Sequence, residues 1–155
     1  MQPIATPGLE FFADLEVSVG APQEVGRTAH GLRRLIPILG GTVRGEGWRG
    51  EVLPGGADVQ CVVTPRLAEL DARYMLRTDS GVLIYVHNHA LRCAPEQVTS
   101  RLVRGEPVAP DEVYFRCAPR FDVADPAWQW VTEHMFLGSG VRTPEHVFIR
   151  VFRVL

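Results

Sequence analysis

Residues 57–90, ADVQCVVTPRLAELDARYMLRTDSGVLIYVHNHA, constrain the fold more than any other stretch of the chain. They read as three consecutive strands, residues 58–64, 67–78 and 82–92, joined by turns too short to hold a helix. Pro65-Arg66 turns the first into the second, and Asp79-Ser80-Gly81 between two β-prone runs is a hairpin signal. The stretch is also dense in polar groups where a plain core would be apolar: Asp58, Gln60, Asp71, Arg73, Tyr74, Tyr85, His87 and His89 all fall within it.

The flanking segments extend the pattern. Residues 9–20 alternate Leu15, Val17 and Val19 with Asp14, Glu16 and Ser18, and Ala21-Pro22 stops them. Residues 23–39, interrupted by Gly26, Gly31 and Pro37, predict a looping connection that carries Arg33 and Arg34 to a rim or into a pocket. Residues 40–56 hold seven glycines and Pro54. Gly45-Glu46-Gly47-Trp48-Arg49-Gly50 matches the dinucleotide fingerprint GxGxxG in letters, but that motif needs a helix opening at its last glycine. Leu53-Pro54-Gly55-Gly56 leaves no room for one, so these glycines read as bends, bulges and tight turns. A short helix is predicted over 94–105, with Pro95 suited to its first turn and Gly105 to its end. Strands follow at 113–121, 132–138 and 147–155, with a capped turn or short helix over 125–130. About eight strands, one short helix and many Gly/Pro turns predict an all-β, mainly antiparallel fold. The expected form is a single closed or nearly closed β-barrel over 1–155, with 1–8 as a flexible N-terminal tail. An eight-stranded barrel is just wide enough to hold one small ligand.

Composition narrows function by exclusion. At 155 residues, 46% apolar and 22% charged, the chain has the make-up of one globular domain. A net charge of -2 argues against nucleic acid or an anionic membrane as partner. No apolar run approaches the ~18 residues of a membrane span. The N-terminus lacks a basic region and carries early acids, unlike a signal peptide. A cytoplasmic protein that meets a small molecule is expected; a homodimer is compatible with the sequence, though no feature calls for it. Three cysteines without CxxC spacing fit neither a disulfide framework nor a zinc ribbon. All 16 basic residues are Arg. Without lysine there is no Schiff base, no lysine general base and no pyridoxal anchor. Arginine is no practical proton acceptor; its work is fork-shaped anion binding and ion pairing.

Period two sorts side chains by face without saying which face points inward. In 67–78, Asp71, Arg73 and Arg77 share one face while Ala72, Tyr74 and Leu76 share the other. In 82–92, Tyr85, His87 and His89 oppose Ile84, Val86 and Asn88. Asp58 and Gln60 share a face. They are either a carboxylate held at a barrel mouth as general base, with the amide reaching the same ligand, or a turn cap after two glycines. Tyr114 and Arg116 offer a phenol and an anion-binding fork on one face, or an outward Arg beside a packed Tyr. Trp130 is a packing residue at a barrel end or a stacking surface for a ligand. His87 and His89 project about 7 Å apart from one strand face, close enough for one metal. Gly81 followed by HxH matches the opening of the cupin metal motif, but Cys93 and Ala94 stand where that motif needs its acid. With no GxSxG and only four serines, a serine hydrolase is disfavoured.

Five fragments, in order, resemble the DUF3237 family, also called UPF0311. They are Gly31-Leu32-Arg33-Arg34-Leu35-Ile36-Pro37-Ile38-Leu39-Gly40-Gly41, Leu53-Pro54-Gly55-Gly56-Ala57-Asp58, Ala72-Arg73-Tyr74, Thr78-Asp79-Ser80-Gly81 and Tyr114-Phe115-Arg116. The resemblance runs from Leu9 to Leu155. It implies a single-domain β-barrel, mainly from bacteria and fungi, lipocalin-like or allene-oxide-cyclase-like in shape, and no established reaction. Two positions depart from the family pattern: Val59, where an aromatic is usual, and Ala90, where Gly is usual. The gathering of titratable groups in these motifs predicts a small-molecule enzyme working by acid/base chemistry without a cofactor. An isomerase, cyclase or lactone-type hydrolase acting on a small oxygenated or anionic molecule is expected. Asp58 is the expected base, and Tyr74 and Tyr114 the proton donors or oxyanion partners. Arg34, Arg73 and Arg116 are the expected anion clamp, with Gln60, Tyr85, His87 and Trp130 lining the site. The alternatives are a non-catalytic barrel that binds a small ligand, and a metal-dependent enzyme using His87 and His89.

Overall fold

A computed structural model describes residues 1–155. The strands are β1 (Leu9–Val19), β2 (Gln23–Thr28), β3 (Gly31–Gly45), β4 (Trp48–Val52), β5 (Ala57–Val62), β6 (Leu67–Thr78), β7 (Leu83–Cys93), β8 (Tyr114–Val123), β9 (Phe136–Arg142) and β10 (His146–Val154). One helix, α1 (Glu96–Val103), and a 3₁₀ turn at Pro110–Glu112 separate β7 from β8; a second 3₁₀ turn, Pro126–Thr132, precedes β9. Neighbours follow the order β1-β10-β9-β8-β7-β6-β4-β3-β2, and β1 also pairs with β3, which closes the ring. All these ladders are antiparallel. β2 and β1 pair with the first and second halves of β3 on one side, and β5 and β4 do so on the other. Two staves thus consist of two strands each, so the ten strands build an eight-staved closed barrel, in keeping with the expected fold.

β3 is the strand that makes this possible. It leaves β2 after Leu35 and joins β1 at Ile38, and Pro37 sits in the gap, where a missing N–H removes no bond to either neighbour. Gly40 and Gly41 have φ of +146° and +145°, which L side chains rarely adopt, and a Cβ on Gly41 would run into the Glu16 carbonyl oxygen. Residues 23–39 are therefore not the expected looping connection. They form a hairpin in which Gly31 turns the chain and Gly26 marks a register shift. The strand expected over 132–138 begins only at Phe136, because the 3₁₀ turn persists to Thr132. Asp125 starts that turn by accepting the Ala127 N–H at 2.8 Å.

The two ends of the barrel are filled differently. At one end Phe12 lies 4.9–5.5 Å, centroid to centroid, from Trp48, Phe121, Trp130 and Phe136. Such tilted and edge-on pairs add about 0.5–1.5 kcal/mol each beyond their buried area. Towards the other end β6 and β7 turn the small residues Ala68, Ala72 and Ala90 inward, leaving space that larger side chains would fill. There α1 buries Val98 and Leu102 with Ala94. No helix is long and apolar enough to cross a membrane.

Candidate functional site

The space left by these alanines is a cavity of about 40 Å³. Apolar residues from β1, β3 and β10 form much of its wall, among them Val17, Ile36 and Ile149. Its polar lining comes from four strands: Asp58 and Gln60 of β5, Tyr74 of β6, Asn88 and Arg92 of β7, and Arg142 of β9. Arg34 pairs across the ladder with Gln60, so it points to the same interior and is 2% exposed. It donates from Nη1 to the Val103 carbonyl at 3.2 Å, which ties the C-terminal end of α1 to the barrel.

Hydrogen bonding in this cavity is incomplete. Gln60 donates from Nε2 to Asp58 Oδ2 at 2.8 Å. Asp58 Oδ1, Gln60 Oε1, Asn88 Oδ1, Arg92 Nη1 and Arg34 Nε are all buried and have no hydrogen-bond partner in the protein, although Arg34 Nε stands 3.8 Å from Glu24 Oε1. A buried polar atom left unpaired costs about 1–3 kcal/mol, so five of them at one end of one barrel is a substantial charge against folding. Elsewhere the only such atom is Arg153 Nε.

Electrostatics sharpen the picture. Three guanidiniums, Arg34, Arg92 and Arg142, act on Asp58, and Arg34 Nε also stands 3.8 Å from Glu24 Oε1, which leaves a surplus of one positive charge when both carboxylates are ionised. Burial pushes the Asp58 carboxyl above the usual range, against the Gln60 hydrogen bond and the fields of Arg92 and Arg142. Burial likewise lowers Arg92 to about 10, with Arg142 and Arg34 repelling its charge and Asp58 opposing the shift. Arg34 and Arg142 are lowered by burial too. Tyr74 is raised by burial, which keeps it a neutral phenol. Cys117 is pushed up to about 11 by burial, so it supplies no thiolate.

The structure brings four of the sequence-derived residues into the interior: Asp58, Gln60 and Tyr74 line the cavity, and Arg34 is buried across the ladder from Gln60. The other six lie elsewhere. Arg73 follows Ala72 and precedes Tyr74, both inward, so the pleat turns it out; its side chain is 60% exposed and its Nε stands 3.6 Å from Asp71. Tyr85 and His87 share that outer surface, where His87 Nε2 lies 2.7 Å from Asp71 Oδ1. His87 is therefore held by a carboxylate on the barrel's outside, and no group of three His, Cys, Asp or Glu side chains is placed to hold a metal. Tyr114 and Arg116 also point out: the guanidinium sits 5.2 Å from the Tyr114 ring centroid and donates to the Phe115 carbonyl at 2.9 Å. Trp130 belongs to the aromatic plug at the opposite end, with the Arg153 guanidinium 5.6 Å from its centroid. Of the three arginines expected as an anion clamp, Arg34, Arg73 and Arg116, only Arg34 points into the barrel.

Arg92, Arg142 and Asn88 take the vacated places. Two of them carried a readable signal. Asn88 and Arg92 continue the inward phase of Ile84, Val86 and Ala90, so an amide and a guanidinium interrupt an otherwise apolar face. Arg142 stands in phase with Gly138 and Gly140, whose missing side chains give alternation nothing to mark.

Known proteins share this architecture. A curated relative from Rhodopseudomonas palustris, UPF0311 protein RPA1785, is 43% identical over 152 residues, 97% of this chain and 99% of its own. Its crystal structure, described as that of a conserved protein of unknown function, superposes with a TM-score of 0.92 over 98% of this chain and 100% of that one, at 39% identity. A β-barrel-like protein from Acinetobacter baumannii superposes at 0.87 over the whole of both chains, with 32% identity. A crystal structure described as that of an enzyme from Penicillium herquei gives 0.74 over 100% of this chain and 99% of that one, at 17% identity, a likeness of fold alone. The family model described as protein of unknown function (DUF3237) matches residues 7–154, and the chain belongs to that family.

Proposed function

We propose that this barrel binds a small organic anion in the cavity beside α1 and moves a proton on it without a cofactor. The observation that carries the reading is the unbalanced interior: Arg92 and Arg142 share the one carboxylate of Asp58 while Arg34 also pairs with Glu24, and donors and acceptors of the same cluster stay unpaired. Buried charge without a partner destabilises a fold, and a ligand that supplies the missing charge reverses the penalty. In this reading Arg92, Arg142 and Arg34 hold the anionic group. Asp58, raised by burial towards the pH at which it works, accepts a proton from a carbon or hydroxyl of the bound molecule. The negative charge that develops is held by the guanidiniums, and protonated Asp58 returns its proton at a second atom. The electrons stay within the substrate, so the reaction is an isomerisation or ring closure. Tyr74 donates a hydrogen bond from its neutral phenol. The protein is read as cytoplasmic, meeting its ligand from solution.

The test is a library of small organic anions, screened by thermal shift and then by NMR for product. Asp58→Asn is expected to bind the active compound yet turn it over about 100-fold more slowly or worse. Wild-type turnover by that variant removes Asp58 as the base. Saturable binding with no product across the library would instead identify a carrier. A screen in which no anion raises the melting temperature would overturn the anion site itself.

A further inference from the structure

The unpaired atoms also say what the anion must carry besides its charge; this step rests on the anion-binding reading and goes further. Arg92 Nη1 wants an acceptor, which a carboxylate provides. Gln60 Oε1 and Asp58 Oδ1 want donors, which a plain carboxylate lacks. With Asp58 ionised, as a general base must be, Gln60 Nε2 donates to its Oδ2 at 2.8 Å, and the flipped amide would set oxygen against a carboxylate. Gln60 is 1% exposed, so its free oxygen faces the cavity rather than bulk water. Asn88 Oδ1, 4% exposed, is a second unpaired amide oxygen in the same lining.

Two donor groups meet such acceptors, a hydroxyl and an ammonium. The surplus of positive charge disfavours an ammonium, because it would add a fourth cation to a cluster whose only carboxylates are Asp58 and the Glu24 paired with Arg34. A hydroxyl adds none. The cavity of about 40 Å³ holds about three water-sized groups, at about 10–15 Å³ for each. Arg92, Arg142 and Phe115 also line a smaller cavity under Leu102, Val108 and Pro110 next to α1, which sets the anion end of the ligand towards the helix.

We infer that the ligand is a short-chain hydroxy acid. Its carboxylate lies against Arg92 and Arg142, and its hydroxyl donates to Gln60 Oε1 beside Asp58.

Matched probes test this on the wild-type protein by calorimetry and NMR titration: lactate against propionate, glycolate against acetate, and lactate against alanine. Each hydroxy acid is expected to bind at least tenfold more tightly than its deoxy partner, with alanine the weakest of the three-carbon set. Gln60→Met is expected to narrow the lactate preference while propionate binding persists; the wild-type series decides the matter if that variant does not fold. Equal affinity of lactate and propionate would overturn the hydroxy-acid assignment and leave the anion site standing. Alanine binding as tightly as lactate would overturn the exclusion of an ammonium and the assignment with it. No binding by any of these acids would overturn both readings for short carboxylates.

Discussion

Replacing Arg92 by methionine separates a binding site from a structural cluster, because the two predict opposite changes in stability. Arg92 is 3% exposed, its Nη1 is unpaired, and burial with the repulsion of Arg142 and Arg34 brings it down to about 10. That is more than two units below the ordinary guanidinium range, and at about 1.4 kcal/mol per pH unit the environment opposes its charge by about 3 kcal/mol. Methionine keeps an unbranched apolar stem and removes the charge. Part of the gain is lost with the attraction to Asp58 and with imperfect packing, so Arg92→Met is expected to stabilise the ligand-free protein by about 1–3 kcal/mol at neutral pH. For a chain of this size that is a rise in melting temperature of about 2–4 °C per kcal/mol. Urea titration monitored by tryptophan fluorescence gives the difference directly, with an unchanged m-value as the check on two-state behaviour. The same variant is expected to lose the stabilisation that anions give the wild type. Destabilisation by more than about 1 kcal/mol with anion binding intact would refute the reasoning and make Arg92 a structural residue.

Asp58 has its own signature in pH. Its raised folded-state value means that the folded protein keeps a proton which the unfolded chain loses above the ordinary carboxylate range, so its contribution to stability falls as pH rises through that window. Asp58→Asn should therefore gain stability relative to wild type as pH increases from about 4; parallel stability curves in urea at each pH would contradict the shift. On the outer surface, Arg73→Ala and His87→Ala should change stability by no more than about 0.5 kcal/mol and leave ligand affinity unchanged; a tenfold loss of affinity in either would return them to the site. In the aromatic plug, Phe12→Ala should destabilise by about 3–5 kcal/mol, read by the same urea titration, without changing which anion binds; a loss under 1 kcal/mol would show that the plug relaxes around the hole.

Strands with strict alternation were legible to the residue: β6 begins and ends where its pattern does, and β1 and β7 fall within a residue or two of theirs. β2 and β3 were hidden because glycine and proline weigh against a strand locally, while a closed barrel needs them where one strand changes neighbours. The site was legible by halves for a similar reason. Alternation assigns residues to faces, and only burial says which face is inside. The prominent charges of β6 and β7, Arg73, His87 and Asp71, lie outside and pair with one another. Arg73 and Tyr74 are adjacent in a strand and point to opposite faces, so only one of them could line a cavity. A sharper reading takes the face with more β-branched and aliphatic residues as the inner one and then asks which polar residues break it. On β7 that rule selects Asn88 and Arg92; on β3 it selects Arg34 in phase with Ile36 and Ile38.

The placing of polarity along the barrel is what ties stability to function here. Rings from Phe12, Trp48, Phe121, Trp130 and Phe136 pack one end tightly, and a ligand there would have to displace them. The other end carries small inward side chains, unpaired polar atoms and surplus charge, each of which weakens the empty fold. A chain selected for stability alone would fill that end with valine and leucine, as it does the interior of β1 and β10. The rigid end lets the strained end keep its geometry, so the guanidiniums and the carboxylate stand arranged before any ligand arrives. Ligand and core substitution should then act as alternatives. An anion at 100 times its dissociation constant adds about 2.7 kcal/mol, about as much as Arg92→Met is expected to add without it. The saturated wild type and the empty variant should accordingly unfold at similar urea concentrations, and adding the anion to the variant should move its midpoint little further. Additive gains from both would mean that the anion binds somewhere other than among these three arginines.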